Sequence, residues 1–445
     1  MVQTIRHFWP EFNAWLGPIP DPRSPRFITY HKRFMVWWGL SLYLFQLGSR
    51  RQLDFDLDAR GTCVLDNLNR LAQTEQKTRP VHDTLEYFLG GTGAAPYARL
   101  RTQMLQRLFR MKALDANRLQ GHFVVGLDAT GHVSFRRRHC PHCLEARHEK
   151  YSVYYHQVLE AKLLGPASLA LSMASEFIDN SDTDPTRTGE DRKQDCELQA
   201  LSRLMPKLRC DFPQLSLCLA GDGLYACGRT LQLAKDHDCA YVLTFKPGRL
   251  PALWKEFQTL LVLCPENTRA CSLPNGGCQV YRWVHDLSYQ DGEGRTWTFH
   301  ALQCQETVGE KTTTFAWITP LKVDARTVVD LATKGGRQRW HMENQGFNQQ
   351  KNGGFNLEHV FSTDPELLKA YYYLLQIAHM MLQVLQVGSL LRQLAADCQR
   401  TPAQLFGSLK NLARRLLECF RYFTLAEHFF DVQQAARLRI SLDSS

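Results

Sequence analysis

HFVVGLDATGHVSFRRR, residues 122–138, begins as an apolar run and breaks at a single acid. Its first part, HFVVGLD (122–128), has the length and β-branched content of a buried strand, closed by Asp128. The second, HVSFRRR (132–138), alternates apolar and polar residues as a half-buried strand does. An acid closing a buried strand stands at a sheet edge. Buried alone it would cost several kcal/mol, so a partner or a metal ion is expected beside it.

Downstream, YSVYYHQVLEAKLL (151–164) reads as a strand, and LALSMASEFI (169–178) as another strand or the start of a helix. DRKQDCELQALSRLMPKL (191–208) has helical spacing. LSLCLAGDG (215–223) then repeats the opening theme, an apolar run closed by Asp222 and a glycine. A helix around 228–236 and a strand AYVLTFK (240–246) follow. From about 250 to 320 the chain is β-rich, with QVYRWVHDL, RTWTFHALQC and TTTFAWITPL between glycine-rich turns. A helix over 324–334 is expected to end at Gly335-Gly336, where glycine takes the left-handed cap. After it comes ENQGFNQQKNGG (343–354), in which Glu343 is the one carboxylate among amides, with Arg337 and Arg339 before it and Lys351 after.

The flanks are helical. Residues 34–47, 65–72 and 97–114 carry apolar residues at helical spacing, and HDTLEYFLGG starts on Asp83 or Thr84 and stops at Gly90-Gly91. Arg99, Arg101, Arg107, Arg110 and Lys112 surround the stripe of 97–114, either as a solvated face or as a contact for a DNA backbone. TDPELLKAYYYLLQIAHMMLQVLQ (363–386) opens on an N-cap and Pro365, and helices dominate from there to about 436.

At 445 residues the chain has room for about two to four domains. With 44% hydrophobic and 22% charged residues, wholesale disorder is excluded. A net charge of +9 suggests a polyanionic partner. The longest apolar run, 34–48, falls short of the roughly 20 residues a membrane span needs, so a buried helix and no membrane association are expected. MVQTIRHFWPEFNAW has no secretory pattern, and the fourteen cysteines then read as reduced thiols of a cytoplasmic protein. Within RRRHCPHCLEARH (136–148), Cys140 and Cys143 have the spacing of zinc ligands, with His139, His142 and His148 at hand. The other reading is a hairpin turn with free thiols and arginines near DNA.

GLDATG, AGDGLYA and RWHMENQGFNQQKNGGFNLEHVF together resemble the bacterial insertion-sequence transposases with a DDE triad, in the group carrying a Y-(2)-R-(3)-E-(6)-K signature. Arg339 and Glu343 reproduce R-(3)-E, whereas the tyrosine position falls on Gly336 and the lysine position on Gln350, with Lys351 one residue later. DPR (21–23) and GSRRQLD (48–54) also look like the family's N-terminal region, so the resemblance covers most of the chain.

That resemblance implies an α/β fold: a ribonuclease-H-like catalytic domain with a β-rich insertion, flanked by helical N- and C-terminal regions. Its divisions would be a DNA-binding region at 1–120, the core at 121–249 and 321–362, the insertion at 250–320, and a helical end at 363–445. It further implies that Asp128, Asp222 and Glu343 hold two Mg²⁺ (or Mn²⁺) ions about 4 Å apart, while Arg339, Arg337 and Lys351 meet DNA. The chemistry would be in-line phosphoryl transfer without a protein nucleophile: cleavage at element ends, then joining to target DNA. A homodimer on paired double-stranded DNA ends, in the bacterial cytoplasm with the nucleoid, completes the expectation. The rivals are a DNA-binding protein that has lost catalysis and a metal-dependent nuclease that cuts without joining.

Overall fold

The apolar runs pair into a single sheet. A computed structural model describes residues 1–116, 118–165, 169–180, 194–274, 276–430 and 438–440. The strands are β1 (Arg118–Leu119), β2 (His122–Phe135), β3 (Leu144–Arg147), β4 (Ser152–Gly165), β5 (Leu169–Ile178), β6 (Leu217–Gly221) and β7 (Cys239–Thr244), then β8 (Thr268–Ser272), β9 (Cys278–Gln290), β10 (Thr296–Val308) and β11 (Lys311–Thr319). Their order is β3-β4-β2-β6-β7-β11-β10-β9-β8, with β5 also on β4 and β1 on β2. β2, β4 and β5 form an antiparallel meander, and β6 and β7 continue from β2 in parallel. The crossovers are the helices Glu197–Asp211, between β5 and β6, and Gly228–Asp236, between β6 and β7. The first of these was expected from residue 191, but 191–193 lie outside the described residues.

The β-rich stretch does not stand apart. β11 pairs antiparallel with β7, so β8–β11 extend the same sheet. Its first part is moreover a helix, Pro251–Leu263, that β-like patterning did not reveal. Pro251 opens it, and Leu253, Phe257 and Leu261, four residues apart, bury one stripe.

Strand alternation divides two cores. Phe123, Val125, Leu127, Leu217 and Leu219 belong to a large core shared with the N- and C-terminal helices. Val124, Cys218, Ala220 and Val242 face the other core, closed by Leu331, Ala332, Met342 and Phe347. The divisions at 120 and 362 thus mark changes of secondary structure within a shared core, which runs from Val2 to Leu438.

Helical structure runs with little interruption from Val328 to Asn352 and includes two wide turns, Leu331–Gly336 and Met342–Asn348. The expected stop at Gly335-Gly336 is absent: neither glycine has a positive φ, and Arg337 continues in helical conformation. These glycines serve close packing. A Cβ on Gly336 would overlap the Trp317 indole, and one on Gly335 would press on Leu119 and Val242 at 3.1 Å.

Of the flanking helices, Pro365–Val387 matches expectation, with the Asp364 side chain accepting from the Leu367 amide at 2.8 Å. His82–Thr92 passes through Gly90-Gly91 and ends at Gly93, which has φ +66°. Ala95–Arg110 turns Arg101 inward, where its guanidinium donates to Ser172 and Ser175 of β5, so this arginine is neither solvated nor free for DNA. The apolar run at 34–48 forms the buried helix Lys32–Leu44, and among the described residues no helix is long and apolar enough to cross a membrane. The helical expectation to 436 can be followed to Phe430; 431–437 lie outside the described residues.

Candidate active site

Parallel register brings the two aspartates together. Phe123 pairs with Leu217 and Gly126 with Ala220; two residues further along each strand stand Asp128 and Asp222. Neighbouring strands lie about 4.8 Å apart. Both acids share the parity of Val124, Cys218 and Ala220, so they belong to the face closed by Met342. Contrary to the expectation from its apolar run, β2 continues to Phe135 beside β4, so Asp128 does not end its own strand. It stands where β6 stops and the sheet opens on that side.

Asp128 is half-buried, and its carboxyl is pushed up to about 6. Burial is the main cause; Glu197 and Asp222 add to it, and Arg339, 3.8 Å away, opposes it. Asp222 accepts from the Leu224 amide at 2.8 Å, which fixes the turn after β6. Gly221 is needed there, since a Cβ would sit 2.8 Å from the Tyr225 ring.

Glu197 escaped the sequence reading. It stands in the first turn of its helix, accepts from the Tyr225 hydroxyl at 3.0 Å, and is raised by burial and by Asp222. Acids are common in first turns for the helix dipole alone, so nothing marked this one out.

Glu343 arrives on the wide turn Met342–Asn348. Gly126 makes that approach possible: a Cβ there would lie 3.2 Å from the Met342 sulfur and 2.7 Å from Leu164. The segment thus rests on β2 two residues before Asp128, and Arg339, one turn ahead of Glu343, touches Asp128. Asp128 and Asp222 are therefore gathered. Glu343 stands on the adjoining segment with its carboxylate exposed, and the third acid bearing on the aspartates is Glu197.

The other expected DNA contacts are engaged within the chain. Arg337 pairs with Glu306 of β10 (3.2 Å to Oε1) and lies over the Phe315 ring. Lys351 pairs with Glu358 at 2.7 Å. Gln350, in the signature's lysine position, is fully buried and donates to Gln376 at 2.8 Å. At the tyrosine position, Gly336 yields its space to Trp317.

An open groove of about 750 Å³ runs from Asp222 past Lys246 and Trp317 to Arg337, Arg339 and Trp340. Trp340 is 61% exposed, unusual for so large an apolar surface. A second hollow of about 460 Å³ shares Asp222 and Lys246 and adds Arg249. Lys246 and Arg249 had no motif to announce them.

A separate cluster, His139, Cys140, Cys143 and His156, could hold a metal ion, its ligand atoms all within 4.8 Å of one another. Cys140, Cys143 and His139 were candidates; His142 and His148 are not part of it. His142 faces Asp179 at 3.8 Å, and His148 stacks on Tyr151. His156 enters through hairpin register: Leu144 pairs with Tyr155, which sets Cys143 across from His156.

Among known proteins, no family model matches the chain and no curated protein matches it. Fold and site define an α/β protein with a mixed sheet, whose acid-bearing end opens on a groove lined by cations and tryptophans.

Proposed function

We propose that the protein is a Mg²⁺-dependent transposase with a ribonuclease-H-like catalytic core, cutting insertion-sequence ends and joining them to target DNA. The observation that carries this reading is the register of β2 and β6, which sets Asp128 beside Asp222 under the segment bearing Arg339 and Glu343. Strand order supports it: β5-β4-β2-β6-β7 is an antiparallel meander followed by two parallel strands, with acids on the first and fourth in chain order.

The donor set suits a hard divalent cation. Two carboxylates stand side by side where β6 stops, with Glu197 near, and burial already drives Asp128 toward its neutral form. Asp128, Asp222 and Glu343 would hold Mg²⁺ or Mn²⁺. Bound there, the metal supplies charge neutralisation and activation of water or a DNA 3′-hydroxyl. Arg339 offsets Asp128 and stands where a phosphate oxygen can compete for it. Trp340 offers an exposed ring for an unstacked base, and Lys246 and Arg249 offer charge to the backbone. In-line phosphoryl transfer of this kind needs no cysteine nucleophile. Double-stranded DNA as partner, a dimer on paired ends and a place in the bacterial cytoplasm belong to the same proposal.

A catalytically silent DNA-binding protein is favoured by the buried Gln350 and by Gly336 in the signature positions. The deciding assay incubates purified protein with Mg²⁺ and DNA carrying the inverted repeats that flank its reading frame. Cleavage and joining are expected, with both lost and binding kept in Glu343→Gln. Full activity of that variant overturns the assignment. Cutting without joining identifies a nuclease, and binding alone a silent protein.

A further inference from the structure

We infer that His139, Cys140, Cys143 and His156 form a tetrahedral Zn²⁺ site that shapes the arginine-bearing link between β2 and β3. Four of the pair distances among these residues are those of a coordination shell. The two sulfurs are 3.4 Å apart, the sulfur of Cys140 is 3.4 Å from Nε2 of His156, and that of Cys143 is 3.3 Å from Nδ1 of His139. The sulfur of Cys143 lies 3.7 Å from Nε2 of His156. A tetrahedron with metal–sulfur bonds of about 2.3 Å and metal–nitrogen bonds of about 2.0–2.1 Å has edges of roughly 3.3–3.8 Å. Two thiolates and two imidazoles select zinc over the hard cation suited to the carboxylates. A disulfide would require the sulfurs to close to about 2.05 Å.

The surroundings suit a structural ion. Cys143 and His156 are buried, His139 packs on Phe135, and Asn180, two residues past β5, donates to the Cys143 carbonyl at 3.0 Å. Residues 136–143 form neither helix nor strand, so four ligands are what would fix their path. Arg136, Arg137 and Arg138, all exposed, immediately precede the first ligand. If the DNA reading above holds, the ion presents these three cations to phosphates.

The metal is tested without DNA. Full-length protein purified under reductant should retain one zinc per chain. Asp128→Asn/Asp222→Asn should keep it, and Cys140→Ser/Cys143→Ser should lose it. Cobalt exchanged into the unaltered protein should show intense tetrahedral d–d bands with thiolate charge transfer, a readout that does not depend on the cysteine variant folding. No bound zinc, a weak octahedral cobalt spectrum, or zinc kept by the cysteine variant overturns the site. A chain that binds zinc but never transposes leaves it standing.

In a second measurement, chelator-stripped protein and Arg136→Gln/Arg137→Gln/Arg138→Gln should weaken alike on double-stranded DNA. The salt slope should fall by up to about three in each, near 0.9 per phosphate contact. Unchanged affinity after stripping overturns the arginines' role.

Discussion

Asp128 sits between opposing charges, with Arg339 at 3.8 Å on one side and Asp222 and Glu197 on the other, and its carboxyl is pushed up to about 6 from 3.8. The folded chain therefore binds more protons than the unfolded chain between those values, and Asp128's contribution to stability is lost as pH rises through that window. Asp128→Asn should accordingly melt higher than the unaltered protein at pH 7 without divalent metal, and should lose the rise in Tm that Mg²⁺ gives. Protons compete for the same oxygens, so the Mg²⁺-induced rise should shrink as pH falls below about 6; a pH-independent shift would place the metal elsewhere. Gly336→Ala forces a methyl into the Trp317 indole and should cost about 1–3 kcal/mol in denaturant unfolding, with partial rescue by Trp317→Phe. Asp128 and Asp222 were legible because each closes an apolar run. Glu197 and His156 were not, since each joins its cluster through pairing with a distant strand or turn that no local spacing records.

The segment Val328–Asn352 owes its course to what packs beneath it. Two adjacent glycines looked like a helix stop, yet Trp317 and Val242 use their missing side chains, so tertiary contact overrides the local capping signal. The long helix Pro365–Val387 was readable from Asp364 and Pro365. Its buried polar row was not: Gln376 meets both Gln350 and Lys162, whose ammonium lies 3.2 Å away, and His379 meets Gln349 and Gln350. That row explains why the signature's lysine position can hold an amide. Gln350→Lys would bury a second ammonium near Lys162 and should destabilise by about 3 kcal/mol or more, read as a drop in Tm. Lys351→Gln, losing only its partly exposed pair with Glu358, should change stability by less than about 1 kcal/mol. Equal effects of the two would contradict this division of roles.

Over the whole molecule, one sheet carries both the acids and the stretch expected as an insertion, and helices from both ends of the chain close one core. Strand content was legible from alternation, whereas the β7–β11 junction that fuses the halves is a long-range pairing. Arg337 with Glu306 ties the acid-bearing segment to β10 across that junction. Whether Asp128, Asp222 and Glu343 converge on one cation is tested by replacing Mg²⁺ with Fe²⁺, the His/Cys cluster kept zinc-loaded, and letting ascorbate and peroxide cut the backbone beside the bound iron. A shared site yields cuts near 128, 222 and 343 together, all suppressed by excess Mg²⁺. Cuts near 128, 222 and 197 with residue 343 spared would contradict it.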